Sequence, residues 1–92
     1  MNGTTYTIRD TVLVAHLDGE AVLLDMDSKN YFRLNDTAAF IWKALEGNQS
    51  RDAILDGLCE TFDVAAAEAA TALDHLLDEL VEAGLIVAGV GG

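Results

Sequence analysis

The chain has no proline, one cysteine and only 5 lysines and arginines among its 92 residues, and each scarcity closes a class of answers. Without proline, no residue blunts a strand edge by withholding its backbone N–H. That absence, with a hydrophobic fraction of 51%, describes a compact folded chain and not a disordered segment. The single cysteine, Cys59, has no partner for an internal disulfide, which agrees with a reducing compartment. Against so few basic residues stand 16 acids, for a formal net charge of −11. Such a surface repels nucleic acid and anionic lipid, so the expected partner is neutral or basic. No run of about eighteen consecutive apolar residues occurs, and MNGTTYTIRD lacks the basic-then-apolar order of a signal peptide. The expectation is a soluble, cytoplasmic protein with neither membrane nor nucleic acid as partner.

A chain of 92 residues holds one domain and one core, with no room for a deep substrate cleft. Candidate chemistry is equally thin. His16, His75 and Cys59 stand at scattered positions without zinc-ligand spacing, and the acids lack the repeated loop pattern of a calcium site. Cys59 falls on an apolar helical stripe, where a thiol behaves as a small hydrophobe, and no nucleophile motif surrounds it. No catalytic residue, metal or cofactor is expected.

What is present is an ordered succession of elements. VLVAHL (residues 12–17) and EAVLLDM (20–26) flank Asp18 and Gly19, a strong two-residue hairpin signal. A polar corner at residues 27–30 leads to YFRL, residues 31–34, a third strand in which Phe32 and Leu34 share one face and Tyr31 and Arg33 the other. Phe32 is expected on the core side. Helical periodicity follows. Asn35 or Asp36 caps a first helix with Ala38, Ile41, Trp42 and Leu45 on its stripe, and Trp42 as a core anchor. Ser50 caps a second, with Ile54, Leu55, Leu58, Cys59 and Phe62 inward and Gly57 inside it. Asp63 is the expected cap of a third and longest helix, with Ala66, Ala69, Ala70, Leu73, Leu76, Leu77, Leu80 and Val81 inward and Gly84 ending it. The expected layout is an arm or frayed strand over residues 1–11, a domain over 12–87 and a flexible tail over 88–92. A three-stranded antiparallel sheet followed by three helices is an α+β fold.

If the third strand lies at a sheet edge, its free N–H and C=O groups can accept an extended peptide or pair with a second copy of the chain. Here the residues carry a resemblance. VLLDMDSKNYFRLNDTAAFIWKALEGNQS, followed by LDELVEAGLI, resembles the pyrroloquinoline quinone biosynthesis protein D family across residues 12–87. Leu23-Leu24-Asp25, Tyr31-Phe32 before Leu34-Asn35, Ile41-Trp42 and Gly84-Leu85-Ile86 are its most specific elements. Members of that family are called RiPP recognition elements, after the ribosomally made and post-translationally modified peptides they serve. The resemblance implies a winged helix-turn-helix-like fold. It also implies a non-catalytic role, in which the leader of a precursor peptide adds to the third strand and lies against the third helix. The partner is then a separate modifying or processing enzyme: the cysteine protease of a lasso-peptide system, or a radical enzyme as in pyrroloquinoline quinone synthesis. Carried onto this chain, the strand side is Lys29, Asn30, Tyr31, Phe32, Arg33 and Leu34. The helix side is assigned to Ala67, Thr71, Asp74, His75 and Asp78, stacked at three- and four-residue spacing.

A winged-helix DNA-binding protein is the competing reading of the same fold. Residues 65–84 contain no Lys or Arg and carry Glu68, Asp74, Asp78, Glu79 and Glu82, a poor match to a groove lined by phosphates. The acids read either as a plain solvated face, the usual meaning of such a run, or as a surface that attracts a basic leader or a basic enzyme.

Overall fold

The structure, a computed structural model, describes residues 5–89. In chain order its elements are β1 (Thr5–Ile8), β2 (Val12–Leu17), β3 (Glu20–Asp25), β4 (Tyr31–Leu34), α1 (Asp36–Glu46), α2 (Arg51–Phe62), α3 (Ala66–Glu82) and β5 (Ile86–Gly89). Strands β2, β3 and β4 form one antiparallel sheet in that spatial order, and β1 pairs with β5 in a separate two-stranded ribbon.

The turns of the sheet follow local chemistry. Asp18 at φ 37° and Gly19 at φ 83° supply the two positive φ values that a tight hairpin matching the strand twist requires. The longer turn into β4 is organised by Asp25, whose carboxylate accepts from the Asp27 amide at 3.1 Å and the Ser28 hydroxyl at 3.0 Å. Those bonds, the Asp27 amide first, hold the Asp25 carboxyl below its usual range although the residue is only 6% exposed. Lys29 then reverses the chain at φ 67°. The inner face of the sheet, with Ala21, Leu23 and Leu34 buried, packs on α1.

Asn35 caps α1 by accepting the Ala38 amide at 2.9 Å, and Ser50 caps α2 by accepting that of Ala53 at 3.3 Å. Trp42, Leu45, Ile54, Leu58, Leu73 and Leu77 meet in the core. A Cβ on Gly57 would stand 3.1 Å from the Phe40 ring, which is itself edge-on to Phe62 at 5.5 Å. The helix accepts that glycine's propensity cost because the ring occupies the space a side chain would need.

Three expectations are corrected. Asp63 does not cap α3. It closes α2 in the left-handed conformation at φ 50°, ψ 51°, which a short polar side chain tolerates, and α3 begins after Ala65 without a side-chain cap. The first turn of α3 leaves the core accordingly: Ala66 is exposed, as is Val81 near the other end. Residues 88 and 89, read as the start of a flexible tail, belong to β5, while residues 1–4 and 90–92 lie outside the described residues. Gly84 at φ 77° turns the chain, Leu85 and Ile86 bury themselves, and the strand beyond runs against the amino-terminal arm in the register Ile8↔Ile86 to Thr5↔Gly89. The domain is closed by pairing between its two ends.

The setting of α3 is held by its buried residues Ala69, Leu73, Leu77 and Leu80, and by an ion pair. Arg51, at the start of α2, grips Asp74 with Nε–Oδ1 at 2.7 Å and Nη2–Oδ2 at 2.8 Å.

Leu73→Ala is expected to cost about 2–5 kcal/mol, read as a lower urea midpoint at unchanged slope. Arg51→Ala is expected to cost at most about 1 kcal/mol at neutral pH, because Asp74 is largely exposed. The Arg51 hydrogen bond holds the Asp74 carboxyl below its ordinary value of 3.8, so the pair's stabilisation is complete above that value and lost as pH falls through the lowered one. Stability measured from neutral pH down to about pH 2 should therefore fall less steeply in Arg51→Ala than in the parent.

Candidate functional site

Strand β4 is an open edge: among the described residues nothing pairs with it on the side away from β3. Which of its backbone groups are free follows from register. The Asp25 amide donates to the Asn30 carbonyl at 2.9 Å, and pairs alternate from there, so Phe32 opposite Leu23 and Leu34 opposite Ala21 direct their amides and carbonyls toward β3. Tyr31 and Arg33 direct theirs outward. Side chains alternate the other way. Leu34 is buried and Phe32 half-buried on the core side, while Tyr31, 69% exposed, and Arg33 stand on the outer face of the sheet. Arg33 meets Glu20 there at 3.4 Å, an exposed pair that contributes little to stability.

Beside this edge runs a groove of ≈ 280 Å³. One wall is β4 from Phe32 to Leu34; its floor is Asn35 and Ala38 at the start of α1. The opposite wall is one face of α3 and its cap: Leu76, Glu79, Leu80 and Ala83. The lining is mostly apolar, and Glu79 is the one carboxylate in it, held by His75 Nδ1 at 2.9 Å. An added strand would lie about 4.8 Å from β4, within this groove, with alternate side chains directed at the apolar wall.

The strand-side residues expected from the sequence are therefore brought together, with different roles. Lys29 and Asn30 form the turn that launches β4, Tyr31 and Arg33 present main chain to the edge, and Phe32 and Leu34 line the groove. The helix-side residues are not brought there. At about 100° per residue, Leu76 and Ala83 lie on one flank of the stripe formed by Leu73, Leu77 and Leu80, and Thr71, Asp74 and Asp78 on the other. Asp74 is bound to Arg51, and Asp78 faces the ribbon beside Tyr6 and Ala88. Ala67, Thr71 and His75 line a shallow outward depression, where the Thr71 hydroxyl donates to the Ala67 carbonyl at 3.0 Å. The four groove residues on α3 and its cap carry a signal, the apolar spacing 76, 80, 83 adjoining the core stripe. Which flank meets the sheet depends on where α2 packs, and no local pattern records that.

No group of three His, Cys, Asp or Glu side chains among the described residues is placed to hold a metal ion, and Cys59 sits half-buried against the core. No helix among them is long and apolar enough to cross a membrane.

No curated protein matches the sequence. Two solved structures resemble the fold. TbiB1 in complex with the TbiA(beta) leader peptide shares 30% identity over 94% of this chain and 99% of that one, with a TM-score of 0.85. A lasso peptide synthetase B1 complexed with its leader peptide shares 32% identity over 89% of this chain and 96% of its own, with a TM-score of 0.81. The family model for coenzyme PQQ synthesis protein D (PqqD) matches residues 20–86, the span from the second strand of the sheet to the first residue of β5. An open β4 edge and an apolar groove on an α+β scaffold thus coincide with a family match over most of the length, and the chain belongs to the PqqD family.

Proposed function

We propose that this chain is a non-catalytic adaptor that binds the leader segment of a ribosomally made precursor peptide by strand addition to β4 and presents it to a separate enzyme. The observation that carries the reading is the coincidence of free main-chain groups on Tyr31 and Arg33 with an apolar groove against α3. Both similar solved structures hold leader peptides, which supports the same occupant here. The helix side of the site is taken as Leu76, Glu79, Leu80 and Ala83 in place of Ala67, Thr71, Asp74, His75 and Asp78. The folded unit is taken as residues 5–89, ribbon included, working in the cytoplasm.

Each main-chain hydrogen bond to the leader contributes about 1 kcal/mol net, burial of alternate leader side chains adds to it, and ordering a flexible peptide opposes by several kcal/mol. An affinity between about nanomolar and micromolar follows. Turnover then comes from local concentration: the tethered precursor meets its enzyme at high effective concentration although the adaptor contributes no reacting group. The lasso-type precursor, processed by a separate cysteine protease, is favoured by the likeness to a lasso peptide synthetase B1. The family model favours a second reading, a peptide chaperone of pyrroloquinoline quinone synthesis serving a radical enzyme.

An NMR titration of labelled protein with leader peptides of both kinds, and with a DNA duplex, tests the proposal. Tyr31 and Arg33 amides should become protected from exchange on leader addition, whereas those of Phe32 and Leu34, already bonded to β3, should change little. Residues 76–83 should shift with them. Response to DNA and to no leader would overturn the reading. In the same titration Leu76→Lys is expected to weaken binding at least about tenfold, or about 1.4 kcal/mol, while Thr71→Lys stays within about twofold.

A further inference from the structure

The sheet has a second surface that the leader groove does not use. On the face away from α1, Leu13 lies opposite Leu24, and Leu24 opposite Tyr31; Ala15 lies opposite Val22, and Val22 opposite Arg33; Leu17 lies opposite Glu20. Only Glu20 and Arg33 are charged, and they neutralise one another at 3.4 Å. An antiparallel sheet with one wet face normally carries polar side chains there. Here Leu13 is 55% exposed, Leu17 57% and Tyr31 69%, and no helix or strand among the described residues packs over them. A contiguous neutral, apolar face on a chain of net charge −11 marks an interaction surface.

Resting on the adaptor reading, we propose that this outer face docks the enzyme that receives the leader, a protein with an apolar centre and a basic rim. Charge selects the occupant. A second copy would bring another −11 against the first, whereas Asp18 and Asp27, in the turns at opposite ends of the sheet, attract a basic rim. Continuity with the groove selects its role. Strand β4 belongs to both surfaces, with Phe32 and Leu34 directed into the groove and Tyr31 and Arg33 outward. A leader added to its edge extends the outer face by one strand, so the leader's own outward side chains stand beside Tyr31 and Arg33. An enzyme on this face touches adaptor and leader together, and its contact area is larger when the leader is bound. The arrangement lets the enzyme distinguish a loaded adaptor from an empty one.

The double variant Leu13→Ser/Leu17→Ser tests this, because β2 lies two strands from the groove. Three quantities are read: leader affinity by NMR titration, leader-dependent turnover of the precursor by the protease or modifying enzyme that acts on it, and sedimentation of the chain alone. Leader affinity should stay within about twofold while turnover at limiting adaptor falls at least about tenfold, and the parent chain should sediment as a monomer. Leu17→Lys, a single change beside the hairpin turn, should act in the same direction if the double variant fails to fold. In the parent, enzyme affinity should rise with leader and fall with salt. Turnover unchanged in a variant that still binds leader would overturn the docking proposal alone. A parent dimer abolished by the double variant would assign the face to a second copy. A parent chain that binds no leader would overturn the adaptor reading and this proposal with it.

Discussion

Leu34 lies opposite Ala21 and Phe32 opposite Leu23, and this short stretch of register governs what the molecule can offer a partner. Leu34 and Leu23 are buried, so a slip of one residue would expel Leu34 from the core and pull Arg33 into it. With the slip excluded, the main chain of Tyr31 and Arg33 has one possible direction, outward along the edge. The opening to a partner is thus a by-product of core packing. A strand of four residues is too short to hold itself in place, and it is held by what lies beneath it: α1, the Asp25-centred turn and the core that Trp42 anchors.

The groove needs a second wall at the right distance, and α3 provides it because its rotation is settled elsewhere. Its leucines Leu73, Leu77 and Leu80 sit in the core, and Asp74 on the far flank is tied to Arg51. Those contacts leave Leu76 and Ala83 facing β4, with no side chain among the described residues filling the space between. Asp74 lies on the flank away from the groove, where it is paired with Arg51. Net charge then acts at longer range. It discourages self-pairing along the open edge and favours a basic partner without contributing much to the fold.

Much of the fold was legible in the residues themselves. Asp18-Gly19 marked the hairpin, Asn35 or Asp36 and then Ser50 marked helix starts, and the alternation of Phe32 and Leu34 with Tyr31 and Arg33 marked both faces of β4. All of these are encoded within a few residues of where they act, through turn conformation, capping and the two-residue period of a strand. Asp63 misled because a short acid before an apolar run reads equally well as the cap of the next helix or the left-handed end of the last one.

By itself the sequence determined the class of fold and the two faces of the third sheet strand, since each depends on local pattern, while the open edge of that strand follows from the sheet order. Tertiary structure decided which flank of α3 faces β4, and so exchanged Thr71, Asp74 and Asp78 for Leu76, Glu79 and Ala83 at the groove. It also joined Thr5–Ile8 to Ile86–Gly89, turning an arm and a tail into a ribbon. The physical reason is common to both: a helix stripe has two flanks that propensity and periodicity treat alike, and a strand has no intrinsic partner. Each choice is made only when distant elements pack, by contacts such as Arg51 with Asp74 that local periodicity does not reveal.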